Sequence, residues 1–477
     1  MSNIAAFVGS YSESNGTAAN SSFIANANGA LGMGEISNIL KQIYDGQKLA
    51  ILYYKNNPGY ALFRKKEDFY GETYPLPSIY ETPSGIANVF ANAQLGNQLI
   101  NGGSGTGGNQ GPAKFAKFML TRASIYGVHI ITREAMLAAS KDIGSFVNGQ
   151  MATMDAMIQG TTNLLAQQLY RSGSGTIGQV SAAGLSTGVA TLVNPTDVRY
   201  FTVGQICIAT NKDPAQGITS VTQRAGYGLV ISIQRQAGTV TFGDATAANP
   251  LTAATPSAWA GSDYLAINGT SPLNGPTVSS TLVPVALTGL MAWIGNSNNI
   301  TSSDVFFGVN RSTDTWRLGG GYYDGSQNGQ SVEEALYDAS TALFMEGGSP
   351  SHCFVGANAY AALQKSYASR NIWETELEGP KDESGTPLMF FKGITIQGAG
   401  SSFVVIADRN CPPFAAFLLS MEDWALYSLK ALPHVVDDDG VSFLRQATAD
   451  AFEFRLAGYG QVGCQAPGRS CYVKLSI

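Results

Sequence analysis

The pattern of apolar and polar positions changes character several times along the chain. Residues 1–34 place Phe7, Tyr11, Phe23 and Ile24 in a run otherwise rich in Asn, Ser, Ala and Gly, which reads as an extended arm that orders only against something else. From Gly34 to Asn57, Ile36, Ile39, Leu40 and Ile43 share one helical face, continued by Leu49, Leu52 and Tyr53, and Pro58 is expected to stop that helix. Phe69 to Tyr80 are strand formers interrupted by Pro75 and Pro77, and prolines confine a strand to an edge. The expected mate is Phe115 to Ile131, with Phe118, Leu120, Tyr126, Val128 and Ile130. Between them lie a short helical stretch, Ser84 to Gly96, and the flexible run Asn101 to Pro112. Residues 69–131 therefore read as one long hairpin, too rich in Gly and Pro to bury itself, that projects onto a neighbour.

Thr132 can cap a short helix through Ser140, and a long helix is expected from about Ser145 to Tyr170. Its stripe is Val147, Met151, Met154, Ile158, Leu165 and Leu169, a pattern of core contact. Gly149 and Gly160 weaken it by about 1 kcal/mol each relative to Ala, so tertiary packing must hold it. Val180 to Ile267 is β in character, with alternating stretches such as Tyr200 to Ile208 and Leu229 to Phe242 between Asn, Gly and Pro turns, and predicts an inserted small sandwich or barrel. Ser331 and Glu334 form a capping box before a helix over Val332 to Glu346, with Gly347-Gly348 as its stop. A strand at His352 to Val355, a helix at Asn358 to Tyr367 and strands at Ile394 to Ile396 and Phe403 to Ala407 complete an α/β unit. The tail is β again, at Phe443 to Arg445, Phe452 to Leu456 and Tyr472 to Leu475. The fold class is α+β.

Composition narrows the function. The 477 residues include 55 glycines, and only 13 % are charged, about half the ~25 % usual for soluble proteins. With 44 % hydrophobic residues and a net charge of −6, the chain folds rather than staying disordered, and its surface suits a partner-covered or a secreted protein. An acidic balance disfavours general nucleic-acid binding, whose affinity comes from basic residues displacing counterions. No Lys or Arg precedes Lys41 and no apolar run follows the first methionine, so no secretory signal is read; Phe403 to Leu419, cut by Asp408, Arg409, Pro412 and Pro413, is no membrane span. Cys207, Cys353, Cys411, Cys464 and Cys471 are too scattered for a disulfide framework, and no zinc spacing is present. No metal or other cofactor is assigned.

Several motifs fail on context. Gly103, Gly105, Gly108 and Gly173, Gly175, Gly178 spell the dinucleotide fingerprint, yet neither set sits between a strand and a helix N-terminus. Gly184-Leu185-Ser186-Thr187-Gly188 spells a nucleophile elbow, for which His434 with Asp408 or Asp423 would complete a triad, but Val189 to Val193 reads as strand where a helix is needed. Asp437-Asp438-Asp439-Gly440 lacks the alternating acids of a calcium loop. Arg311, Asp314 and Arg317 around Trp316 read as a structural ion-pair or stacking cluster.

The order of arm, hairpin, long helix, β insertion, α/β unit and returning β tail resembles the major capsid protein of tailed bacteriophages, the fold named for Hong Kong phage ninety-seven. Local wording resembles it as well: Asn57-Pro58, Lys65 to Gly71 and Pro75 to Pro77; Gly308-Val309-Asn310-Arg311 to Trp316-Arg317; Asp408-Arg409-Asn410-Cys411-Pro412 before Trp424; Gly458-Tyr459-Gly460-Gln461 and Cys464-Gln465-Ala466-Pro467. The resemblance implies an N-terminal arm (1–34), a helical segment (35–68), an E-loop (69–131), a P-domain spine helix (132–177), an inserted β domain (178–270), an A-domain (271–435) and C-terminal strands returning to the P-domain (436–477). It implies a non-enzymatic subunit whose hexamers and pentamers tile an icosahedral head around packaged DNA without reading its sequence. A separate scaffold, a portal and a decoration protein would be partners, and the virion, assembled in the host cytoplasm, its place. No Lys and Asn pair matches the self-crosslink of some members. The candidate assembly contacts are Phe7, Tyr11, Phe23, Phe69, Tyr74, Ile79, Tyr80, Phe118, Arg122 and Tyr126. An encapsulin-type nanocompartment shell and a β-rich surface adhesin are the alternatives.

Overall fold

A computed structural model describes residues 30–31, 57–83, 86, 88, 112–134, 137, 149–213, 221–245, 251–256, 258–269, 286–295, 300, 305–327, 329–369, 394–437, 443–446 and 449–476. The fold is α+β, and the backbone divides into two compact units. One comprises Met1–Asn56, Ala123–Leu287 and Lys430–Tyr459, the other Asn57–Arg122, Thr288–Leu429 and Gly460–Ile477. The helix expected over Gly34 to Asn57 and most of the arm lie outside the described residues.

The first unit contains a closed barrel of six antiparallel strands, in the order Thr239–Asp244, Val189–Leu192, Thr176–Ser186, Tyr264–Ile267, Ile206–Thr210 and Gly228–Gln234. Closure leaves no strand edge exposed. Inward-facing Val180, Leu192, Val230, Val240, Phe242 and Leu265 fill it, with Phe201 and Trp259 edge-on to Phe242 at 6.2 and 5.2 Å. Gly228 makes room for that stack, since a Cβ there would come within 2.5 Å of the Trp259 ring. A fork of Arg224 on the buried Asp263 carboxylate, at 3.0–3.1 Å, ties the loops together.

The helix of this unit runs Gly149–Gln168. Among its described side chains, burial concentrates toward the C-terminal end: Thr161, Leu165, Ala166, Gln167 and Gln168 are buried, whereas Ile158, from the stripe read as core, is exposed. The middle of the helix, at Met157 and Thr161, crosses the strand Ala123–Thr132 at Gly127, where an added Cβ would meet Thr161 Oγ1 at 3.1 Å and Met157 Sδ at 3.2 Å. That strand pairs in parallel with Ala30–Leu31 at Ile130 and Ile131. It is thus not part of the hairpin, contrary to the expectation of a single 69–131 element. Thr73 already sits opposite Thr121, so the first hairpin strand has no residues left to pair with Ala123 onward.

Where helix gives way to barrel, a polar cluster replaces apolar packing. Arg171 is paired with Asp197 at 3.0 Å and stacks on Tyr200, with Arg199 also against that ring. Beside it the Asp213 carboxylate accepts from the Ser172 and Thr176 hydroxyls at 3.4 Å each, and Ser174 joins Thr176 at 2.8 Å. Burial raises the Asp213 pKa, against the opposing pull of these hydroxyls and Arg171.

The second unit holds a six-stranded mixed sheet in the order Gly321–Asp324, Cys471–Lys474, Ala415–Leu419, His352–Val355, Ser402–Ala407 and Ile394–Gln397. The helices Val332–Met345 and Ala357–Ser369 cover it through Leu336, Ala339, Leu343, Ala359 and Leu363. The capping box is present: Ser331 Oγ accepts from the Glu334 amide, and Glu334 accepts from the Ser331 amide at 3.0 Å. Gly347, at φ +81°, ends the helix. The returning tail divides: Ala451–Cys464 is one long strand, and Cys471–Lys474 joins this sheet between Gly321–Asp324 and Ala415–Leu419 because Cys471 and Val473 belong to its core. Pro58 begins a short helix, Pro58–Leu62, where its missing donor costs nothing in a first turn.

The words that carry the family resemblance meet in this unit. Asp408 accepts from the Gly59 amide at 2.9 Å, and Asn410 donates to Asn57 Oδ1 at 2.9 Å, all buried. Gln461 bridges the Thr288 amide at 2.8 Å and the Thr121 carbonyl at 3.1 Å. Trp293, fully buried, lies against Phe118, Phe306, Phe307 and Trp424 and donates to the Val462 carbonyl at 3.2 Å. Arg311 donates to the Ala292 and Trp293 carbonyls at 2.9 and 3.2 Å with its guanidinium over Phe306, so its role is structural.

Two stability outcomes follow from these cores. Phe118→Ala, which leaves a cavity beside Trp293, is expected to cost about 3–5 kcal/mol in urea unfolding; a loss under about 1 kcal/mol would contradict the packing. Because the folded pKa of Asp213 is raised, the native state holds its proton more tightly, and stability falls as pH rises from the unfolded carboxylate value through the folded one. Asp213→Asn is therefore expected to melt higher than the parent at pH 7, with the gap shrinking as the solution is acidified; a gap that widens on acidification would contradict that sign.

Candidate assembly surface

The strands Thr73–Glu81 and Lys114–Thr121 form a separate two-stranded sheet. Alternation sends Leu76, Ala116, Phe118 and Leu120 to one face, all buried. A Cβ at Gly463 would stand 2.7–2.8 Å from Leu76, Leu120 and Tyr427, so a glycine is required for the hairpin root to seat. The opposite face carries Ile79 and Phe115, directly paired across the strands and exposed to 66 % and 68 %. Beyond them Lys114 and Glu81 form an ion pair.

The candidate contacts fall into three groups. Phe118 and Phe69 are buried inside the subunit, Phe118 against Trp293 and Phe69 between Tyr74 and the Arg122 guanidinium, so neither side chain is free to meet another molecule. Tyr74, half-buried, lies on Tyr427 at 4.8 Å, and the half-buried Tyr80 gives its carbonyl to Arg317 at 2.9 Å. Ile79 and Arg122 are exposed on the second unit, and Tyr126 on the first, where it meets Tyr459 edge-on. Phe7, Tyr11 and Phe23 lie outside the described residues. Phe115, also exposed, is not among those candidates. Its odd register against Phe118 and Leu120 is the signal that places it on the outer face.

A cavity of about 340 Å³ adjoins the distal end of the first strand, lined by Tyr80, Glu81, Arg317, Glu346 and Arg469. Its arginines are engaged: Arg317 with Asp314 and the Tyr80 carbonyl, Arg469 with Asp423 at 3.6 Å.

The serine motif is a turn. Ser186 pairs with Val189, and Thr187 and Gly188 have φ of +48° and +80°, the geometry of a two-residue hairpin. His434 Nδ1 donates to the Ala431 carbonyl at 3.1 Å, while Asp408 caps the Pro58 helix and Asp423 pairs with Arg469. Gly173 and Gly175 adopt positive φ in the turn after the long helix, and Gly178 lies within a barrel strand; the other glycine set and Asp438 to Gly440 lie outside the described residues. All five cysteines are buried free thiols, with burial pushing the thiols of Cys207, Cys353, Cys464 and Cys471 up. Among the described residues no group of three His, Cys, Asp or Glu could hold a metal, and no helix is long and apolar enough to cross a membrane.

In solved structures, the chain is similar to the capsid of cyanophage A-1(L), at 9 % identity over 91 % of this chain and 96 % of that one, with a TM-score of 0.48. It is similar to the capsid of a native GTA particle at 8 % identity over 95 % and 99 %, TM-score 0.41, and to that of cyanophage P-SCSP1u at 9 % over 97 % and 99 %, TM-score 0.39. No family model and no curated protein matches.

An active-site-directed phosphonate is expected to leave Ser186 unmodified; a stoichiometric adduct read by mass spectrometry would establish a hydrolase instead.

Proposed function

We propose that this chain is the major capsid protein of a tailed bacteriophage, a non-enzymatic shell subunit. The observation that carries the reading is the hairpin: one face is built into the core, and the other presents Ile79 opposite Phe115, two large apolar side chains that a solitary subunit leaves in water. Adjacent large apolar side chains exposed together support a contact surface. A low content of charge fits surfaces that meet other copies, and symmetric repetition lets modest contacts add up.

In this reading, hexamers and pentamers tile an icosahedral head around packaged DNA, gripping no particular sequence. A separate scaffold and a portal act during assembly in the host cytoplasm, and the barrel at Thr176–Ile267 is the insertion on which a decoration protein would sit. The segment names given by the resemblance, from arm to A-domain, belong to this proposal, as do Ile79, Arg122 and Tyr126 as assembly contacts.

Expression alone and with neighbouring genes, followed by electron microscopy, is expected to give shells, sheets or rings; monomers under every condition would overturn the proposal. Phe115→Asp is expected to leave the melting temperature of the subunit within about 2 °C, since surface changes shift stability by under about 0.5 kcal/mol, and to reduce assembled material at least tenfold by sedimentation. Normal assembly of this variant would remove the hairpin face from the interface.

A further inference from the structure

Five oxygens close a ring where the long helix of the first unit gives way to the barrel. Ser172 Oγ stands 3.4 Å from Asp213 Oδ2 and 3.1 Å from Ser174 Oγ, Ser174 Oγ stands 2.8 Å from Thr176 Oγ1, and Thr176 Oγ1 stands 3.4 Å from Asp213 Oδ1. The two oxygens of the carboxylate supply the fifth edge. Laid flat, a five-membered ring with these edges has its centre about 2.5 Å from every oxygen, inside the ~2.3–2.6 Å at which calcium holds its ligands and too wide for the ~2.0–2.1 Å of magnesium. Five oxygens around an equator, two of them from one bidentate carboxylate, also match the pentagonal-bipyramidal geometry that calcium often adopts. Both contacts to the carboxylate lie at the long end of hydrogen bonding, and Ser174 and Thr176 are buried, so the hydroxyls compensate the charge only weakly.

We propose that this ring holds a hard cation of calcium's size, calcium or sodium, at the entry to the barrel. Its ligands come from both sides of a joint: Ser172, Ser174 and Thr176 follow Gly149–Gln168 and lead into the strand Thr176–Ser186, whereas Asp213 follows the strand Ile206–Thr210. Gly173 and Gly175, at φ +84° and +74°, let the chain between the hydroxyls turn tightly enough to bring all three together. Charge sets the affinity. Arg171 is held by Asp197 at 3.0 Å and Arg199 lies on Tyr200, so the formal charges of these two arginines, Asp197 and Asp213 cancel. A cation therefore enters balanced surroundings with a single anionic ligand, which places calcium at the weak end of oxygen sites, at dissociation constants of ~10⁻⁴–10⁻³ M. Among the described residues no three acids, histidines or cysteines gather around a metal, and here hydroxyls supply three of the five oxygens instead.

The test melts the full chain, first dialysed against a chelator, in about 10 mM calcium chloride, magnesium chloride or choline chloride of matched ionic strength. A second arm compares sodium, potassium and choline chloride at about 150 mM. Calcium or sodium is expected to raise the melting temperature by about 2 °C over its controls, and the arm that responds names the ion. Asp213→Asn keeps the shape of the ring, removes its charge and is expected to abolish the rise. Thr176→Val, close in shape, removes one oxygen and is expected to require about tenfold more of the ion for half the rise. No rise with either ion would overturn the inference. So would an equal rise in magnesium or potassium, a rise that survives in Asp213→Asn, or an unchanged half-point in Thr176→Val.

Discussion

The seating of the hairpin root on Gly463 is the contact on which the second unit depends. Leu76, Leu120 and Tyr427 converge where a single methyl group would come within 2.7–2.8 Å of all three. Phe118 then reaches Trp293, whose ring is also walled by Phe306, Phe307 and Trp424 and whose two neighbouring carbonyls are held by Arg311. Alternation does the rest. Once Leu76, Phe118 and Leu120 face inward, Ile79 and Phe115 must face outward, so the exposed apolar pair is a consequence of the buried one. The same register sets which backbone groups of each strand remain unpaired.

Buried polar groups play a different part in each unit. Around Asp408 and Asn410, the Gly59 and Asn410 amides on the Asp408 carboxylate and the Asn410 side chain on Asn57 Oδ1 fix the start of the Pro58 helix. Near Asp213 the surroundings are hydroxyls and an arginine already paired with Asp197, so burial outweighs stabilisation and the carboxyl holds its proton more readily. The barrel is closed and self-sufficient in its apolar core. Its attachment to the helix through these polar groups is therefore one part of the first unit that answers to pH.

Local chemistry was the most legible part of the sequence. The Ser331 and Glu334 capping box, the Gly347 stop and the alternation at Leu229 to Phe242 each need only a few adjacent residues, and each is where the structure has a cap, a stop and the strands Gly228–Gln234 and Thr239–Asp244. What failed depended on distant partners. Ile158 belongs to a perfect helical stripe, yet periodicity cannot say whether anything covers it. Gly458, Gly460 and Gly463 look like breaks, but they lie inside the strand Ala451–Cys464; at Gly458 and Gly463 close approach of neighbouring side chains excludes a Cβ. Phe69 and Phe118 are candidate contacts in a hairpin whose Gly and Pro content leaves it little core of its own; their support, Tyr74 with Arg122 and Trp293 respectively, is visible only in three dimensions.

The asymmetry of the hairpin edges bears on how copies would join. An edge that accepts a strand, paired with one that refuses it, would make any association through the hairpin a contact between unlike surfaces. Such head-to-tail contacts generate rings when the rotation between copies closes, and open filaments when it does not. A hairpin open on both edges would accept two strands and permit sheets to grow edge to edge, the hazard that proline and charge at strand edges suppress. Pro75 and Pro77 thus do more than tolerate an edge position. By closing one side they would give such an association a direction, and the side left open is the strand that carries Lys114 and Lys117.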